Sequence, residues 1–214
     1  MKLSNIKNLF FEKKLGKISL KRLAFVLLTG LALGYIPYAS TAWISDITTK
    51  TNQYAAILLS ADAITGYDHW SPPIAFAGSY PSWTLYFNSL GFKTDFIFSA
   101  TAKDFYNVLM DNKYQSIVLV GHGSFNCWKA TDKLVCTYDI ERLAGKFRRK
   151  QGEWFQLTCP SPDYSSTHLG QLVMANDNYY FYSGNWAGTL DFVLDALFAF
   201  RNIKAEKNYE QIMR

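Results

Sequence analysis

The sequence predicts an exported α/β domain, a three-layer sandwich with helices on both faces of a mostly parallel sheet, preceded by one N-terminal transmembrane helix. Three observations carry this. From Tyr54 onward, short apolar runs rich in β-branched and aromatic residues alternate with amphipathic segments, the pattern of βαβ units with crossover helices. Residues 23–44, LAFVLLTGLALGYIPYASTAWI, run 22 positions without a charged side chain. At 214 residues and 17% aromatic content, the chain has material for one ordinary core plus an appendage, not for two globular domains.

The appendage is the N-terminus. At about 1.5 Å per helical residue, the uncharged run matches a hydrocarbon layer of about 30 Å. The net charge of +5 would suggest nucleic acid as a partner if it were spread over the domain. It is not: residues 1–22 hold seven Lys/Arg and one Glu, a charge of +6, and residues 23–214 hold fifteen Lys/Arg and sixteen Asp/Glu, a charge of −1. No nucleic-acid partner is expected. Positive charge ahead of the span places 1–22 in the cytoplasm and everything after Trp43 on the far side. A cleaved signal peptide is the competing reading, because Ser40-Thr41-Ala42 offers the small residues a signal peptidase needs. The length of the run favours a retained anchor, and both readings export the domain. The expected organisation is a basic cytoplasmic segment (1–22), the anchor or signal (23–44), a linker (45–53), the α/β domain (54–205) and a tail (206–214).

YAAILLSAD is the first strand, ending at Asp62. Residues 63–80 hold Gly66, Pro72, Pro73 and Gly78 and read as a long loop. PSWTLYFNSL is a helix opened by Pro81 and closed by Gly91, and TDFIFSA a second strand. TAKDFYNVLMDNK is a helix with Thr101 as N-cap and Phe105, Val108 and Leu109 inward. QSIVLVG is the third strand. YDIERLAGKFRRK reads as a helix whose basic end matches its dipole, so that KFRRK is solvated. GEWFQLTC is the fourth strand. A helix near Leu169–Ala175, a strand NYYFYSG and a helix GTLDFVLDALFAF complete the order.

The densest chemistry is SIVLVGHGSFNCW, where an apolar strand stops at Gly-His-Gly-Ser. Cys127 and Cys136 bracket CWKATDKLVC, a hairpin that a disulfide would close in an oxidising compartment. Cys159 is then the odd thiol, either buried and inert or kept free because it reacts. If the third and fourth strands are parallel neighbours, His122 and Cys159 leave the sheet at the same edge. An imidazole there would lower the thiol pKa and later protonate a leaving group, and the N–H groups of Gly123 and Cys159 would hold a developing oxyanion. Ser124 reads as a turn residue.

An apolar strand ending in His-Gly (IVLVGHG), a small hairpin, a helix and a second apolar strand ending in Cys (WFQLTC) resemble the caspase-like clan of cysteine peptidases, which includes caspases, legumains, gingipains and separases. The similarity of element order covers roughly residues 54–200. The resemblance implies peptide hydrolysis on a protein or peptide substrate, without a cofactor, with His122 as base, Cys159 as nucleophile, and Gly123 and Cys159 as oxyanion donors. It further implies a specificity pocket just after the first strand, where Asp62 would suit a Lys or Arg side chain, with Asp163 a second candidate. Two alternatives stand beside it. The N-terminal anchor and the string LTC also resemble sortase transpeptidases, which are β-barrels. A caspase-like domain without activity would serve as a binding or scaffold subunit of an envelope complex. His69 and His168 lack metal-ligand spacing to the cysteines, so no metal site is expected. Trp70, Trp128 and Trp186 are read as packing residues. Nothing matches a phosphate loop, a dinucleotide fingerprint or a GxSxG elbow.

Overall fold

A computed structural model describes residues 25–26, 28–61, 71–124, 126–158 and 167–182. The chain divides into two units, Met1–Thr41 and Ala42–Arg214. In the first, residues 28–30 are helical and a π-helical turn, Leu31–Tyr35, follows. Helix α1 (Ile36–Thr48) continues from it. Phe25 and Leu33 are 70% and 76% exposed, so large apolar side chains face outward here. No helix among the described residues is long and apolar enough to cross a membrane, the π-turn being five residues and α1 thirteen.

The second unit is an α/β domain. Strand β1 (Tyr54–Leu59), helix α2 (Ser71–Ser89), strand β2 (Lys93–Phe98), helix α3 (Ala102–Met110) and strand β3 (Tyr114–Val120) come first. A small antiparallel sheet follows, β4 (Gly123–Ser124), β5 (Cys127–Lys129) and β6 (Leu134–Cys136), and then helix α4 (Thr137–Glu141). Strand β7 (Trp154–Leu157), helix α5 (Leu169–Val173) and strand β8 (Tyr179–Tyr182) complete the described order. The main sheet runs β2-β1-β3-β7-β8 with every pairing parallel. These strands form no barrel, the architecture a sortase requires.

Period-2 alternation splits the apolar side chains between two layers. Ala55, Ile57 and Leu59 of β1, Val118 and Val120 of β3, and Phe155 and Leu157 of β7 pack with Trp83 and Phe87 of α2. On the other face, Ala56, Leu58, Ile117, Leu119 and Trp154 meet Phe105, Val108 and Leu109 of α3, Trp128 and Val135 of the small sheet, and Leu169 and Val173 of α5. The switch in strand order falls between β1 and β3, and in open α/β sheets ligands bind beyond the carboxyl ends of the strands at such a point.

Four expectations change. Helix α2 starts at Ser71, ten residues before Pro81, because Pro72 and Pro73 sit in the first turn, where an amide N–H has no helical partner to lose. Helix α4 stops at Glu141; Leu143, Ala144 and Lys146 each donate to the carbonyl three residues back, and Gly145 takes φ 79°. KFRRK is therefore not a solvated helix end. Lys150 is buried and its Nζ donates to the Asp111 carbonyl at the end of α3 (2.9 Å), while Arg149 donates to the carbonyls of Gln171 and Leu172. Last, residues 45–48 belong to α1 instead of a linker: Asp46, in the part of this helix that belongs to the second unit, accepts at Oδ1 from Asn88 Nδ2 (3.0 Å) and from the Thr94 amide (3.1 Å) at the outer edge of β2. The helix expected at GTLDFVLDALFAF lies outside the described residues.

Candidate active site

Strand β3 is apolar because both of its faces are covered, and it ends where the chain must turn into the small sheet. The two glycines around His122 are there for space. A Cβ at Gly121 (φ 149°) would lie 2.9 Å from Ser60 Cβ, and one at Gly123 (φ 153°) would lie 2.4 Å from the Cys127 carbonyl oxygen. Only glycine allows both approaches. His122 is half-buried between them, and its carbonyl accepts from the Lys129 amide (2.8 Å).

That last bond fixes the direction of the next amide. His122 and Lys129 form a hydrogen-bonded position of the antiparallel pair, so Gly123, opposite Trp128, occupies the alternate position and directs its N–H away from β5. Ser124 Oγ donates to Asn126 Oδ1 (2.8 Å), the turn role expected of it.

Strands β3 and β7 are parallel neighbours with Val120 opposite Leu157, and the Gly121 amide donates to the Leu157 carbonyl (3.2 Å). His122 follows Val120 by two residues, as Cys159 follows Leu157 by two in the sequence. Thr158, the residue before Cys159, is buried. Cys159, Asp62 and Asp163 lie outside the described residues.

The small sheet is held at several points. A disulfide joins Cys127 and Cys136, which face each other across β5 and β6. At its tip, Thr131 Oγ1 accepts from the Ala61 amide (3.0 Å) and Asp132 Oδ1 from the Ala102 amide (2.8 Å), so the polar centre of the hairpin docks on the end of β1 and the start of α3. At its base stands Gln156, a fully buried amide in the middle of β7. Its Nε2 donates to the carbonyls of Ser124 (2.6 Å) and Cys127 (3.2 Å) and lies 3.3 Å from Thr158 Oγ1. Its Oε1 has no hydrogen-bond partner among the described residues. Such a buried acceptor costs about 1–3 kcal/mol. Gln156 escaped the sequence analysis, although one amide inside EWFQL was a visible exception in an apolar strand.

The other perturbed groups lie elsewhere. Burial pushes His168 down to about 3, and the neutral ring caps α5 by accepting from the Gly170 amide at Nδ1 (2.8 Å). Burial also pushes Lys150 down to about 8. Tyr86 donates to Glu153, and burial followed by that carboxylate raises its pKa. Trp128 is buried, as expected; Trp70, Trp186 and His69 lie outside the described residues. A depression lined by Ile47, Lys50 and Lys93 opens at the amino end of β2, away from His122. Among the described residues no cluster of three His, Cys, Asp or Glu is placed to hold a metal ion. No protein-family model and no curated protein matches this chain.

Proposed function

We propose that the chain is a membrane-anchored, extracytoplasmic cysteine peptidase of caspase-like architecture. The observation that carries the reading is the parallel pairing of β3 with β7 in the register Val120 opposite Leu157, which gives His122 and Cys159 equal spacing from the last paired residues. The strand order and the outward Gly123 amide add support.

In this reading the Cys159 thiolate attacks the scissile carbonyl carbon, and the N–H groups of Gly123 and Cys159 stabilise the oxyanion. Protonated His122 gives its proton to the leaving amine as the C–N bond breaks, leaving a thioester. Neutral His122 then takes a proton from water as the water oxygen attacks the thioester. Collapse releases the carboxylic acid product and returns the thiolate–imidazolium pair. The basic side chain before the scissile bond is assigned to Asp62, with Asp163 as the second candidate.

The test is the alkylation rate of Cys159 in the unreduced, folded protein near pH 6, read by mass spectrometry beside His122→Ala, followed by cleavage of a peptide library. Fast labelling that falls at least about tenfold in the variant, with cleavage after Lys or Arg, is the expected result. Equal, slow labelling of both proteins overturns the dyad. Cleavage after Asp or Asn instead would retire only the assignment of Asp62 and Asp163.

A further inference from the structure

We propose that Gln156 is a positioning residue: its side-chain amide fixes the small sheet, and with it the main chain of His122, against the strand that leads to Cys159. The functional consequence rests on the peptidase reading above; the mechanical one does not.

A chain of short contacts links Gln156 to both segments. Gln156 stands on the α3-facing register of β7, where its strand neighbours Trp154, Phe155 and Leu157 are all buried and apolar. A leucine or methionine would satisfy that environment with no polar atom to desolvate. The chain instead has an amide whose Nε2 holds two carbonyls of the hairpin, Ser124 at 2.6 Å and Cys127 at 3.2 Å. These residues face each other across β4 and β5, so one side chain grips both strands at the turn that joins them. His122 shares that unit, since its carbonyl accepts from the Lys129 amide of β5 (2.8 Å). The disulfide at Cys127 makes β6 part of the same body. Thr158 Oγ1, 3.3 Å from the same nitrogen, relates the grip to the residue before Cys159.

Gln156 therefore spans from the hairpin that begins at His122 to the segment that continues into Cys159, while its own carbonyl is left without a partner among the described residues. An orphaned acceptor is a cost that the stability of an apolar strand does not require. The arrangement is accounted for if the spacing of the two segments is what the amide provides.

The experiment uses the full chain in detergent with two variants. Gln156→Met keeps the length and removes both donors. Gln156→Glu keeps the shape and regains one O–H donor when its carboxyl is protonated. Hydrogen exchange by mass spectrometry is read over residues 121–130 and, as reference, over 54–59. In Gln156→Met the hairpin peptide is expected to exchange about tenfold faster while β1 is unchanged. Equal acceleration of both regions, or of neither, overturns the inference whatever the enzyme does.

The second reading is Cys159 alkylation relative to wild type. Gln156→Met is expected to label about tenfold more slowly and to lose its dependence on His122. Gln156→Glu is expected to recover toward wild type as the pH falls from about 7 to about 5, because burial at this position raises the carboxyl above the ordinary glutamate value of about 4.3 so that it gains the proton in that interval. A loosened hairpin with unchanged, His122-dependent labelling would make Gln156 a purely structural residue and overturn the positioning role. Labelling that ignores His122 already in the wild type overturns the peptidase reading instead, and the exchange measurement then decides by itself whether Gln156 holds the hairpin.

Discussion

A methyl group on Gly123 would sit 2.4 Å from a main-chain oxygen at φ 153°, so the residue that follows His122 has no freedom to vary. Gly123→Ala is expected to lower stability by about 2–3 kcal/mol, read by chemical denaturation, because neither the dihedral nor the Cys127 carbonyl can yield cheaply. A variant within about 0.5 kcal/mol of wild type would mean that β4 is not held against β5 as described. Two groups whose pKa burial lowers give pH-dependent expectations at opposite ends of the pH range. Folded His168 stays neutral down to about 3, whereas the unfolded imidazole takes up a proton below about 6.5. The unfolded state thus binds more protons across that interval, and stability falls as the pH falls, by roughly 3 kcal/mol at about pH 4. His168→Asn, which retains a cap for the Gly170 amide, is expected to lose this acid sensitivity in denaturation curves taken from neutral to acid pH. Lys150 acts at the alkaline end. Its folded pKa of about 8 lies below the unfolded value, so the unfolded chain again binds more protons, and stability rises on going from about pH 8 to about pH 10. The gain is on the order of 2 kcal/mol relative to Lys150→Met, a comparison that cancels the tyrosines titrating in the same range.

At the level of elements, the small sheet is the part with least core of its own and most cross-links. Replacing Cys127 and Cys136 together by Ser releases a loop closed over a sequence separation of 9, worth about 2–3 kcal/mol by chain entropy. The expected result is a lower denaturation midpoint with faster exchange confined to residues 123–136. An unchanged midpoint would mean that the hairpin is held by its tip contacts, Thr131 and Asp132, and by Gln156 alone. Helix α3 offers a simpler case: Thr101 and Asp104 form a reciprocal capping box, and Thr101→Ala should cost about 1 kcal/mol. The same two elements show what a sequence reveals. The α3 cap and its inward residues Phe105, Val108 and Leu109 were legible because capping and helical period are local signals. So were the apolar strands and the hairpin. The start of α2 was not, since Pro72 and Pro73 are equally good turn residues and first-turn residues, and only the packing of Phe76 against Phe96 and Phe98 of β2 selects the helix. Lys150 was misread for a related reason: its partner, the Asp111 carbonyl, lies 39 residues away, and no local pattern announces a contact of that range. Gln156 stood in plain view as an exception, but its meaning depends on carbonyls 32 and 29 residues earlier.

For the whole molecule, the question is where the α/β domain begins and what the segment before it does. Asp46 is decisive. Its Oδ1 takes hydrogen bonds from Asn88 Nδ2, from the Thr94 amide and from Thr94 Oγ1 (3.3 Å), so a residue of α1 satisfies an outward amide of the edge strand β2. Uncovered sheet edges recruit other chains, and hydrogen bonds to a carboxylate contribute about 1.5–3 kcal/mol. Two shortened chains, 43–214 and 54–214, therefore separate anchoring from folding. The first keeps Asp46 and is expected to have the denaturation midpoint of the domain in the full chain. The second leaves the Thr94 amide open and is expected to lose about 2 kcal/mol and to self-associate in analytical ultracentrifugation. In the proposal of a membrane anchor, the full chain sediments with membranes after alkaline carbonate extraction and both shortened chains do not. The uncharged run over residues 23–44, the charge of +6 on residues 1–22 and the outward Phe25 and Leu33 all bear on that expectation. Intact mass distinguishes the anchor from a cleaved signal: an anchored chain retains residues 1–44, and a processed chain begins after the Ser40-Thr41-Ala42 site. Processing there would place the new N-terminus within four residues of Asp46, leaving the cap on β2 intact. Either outcome delivers the same folded domain, so stability measured on 43–214 describes that domain in both cases, and a soluble full-length chain of unprocessed mass would overturn the proposed anchor.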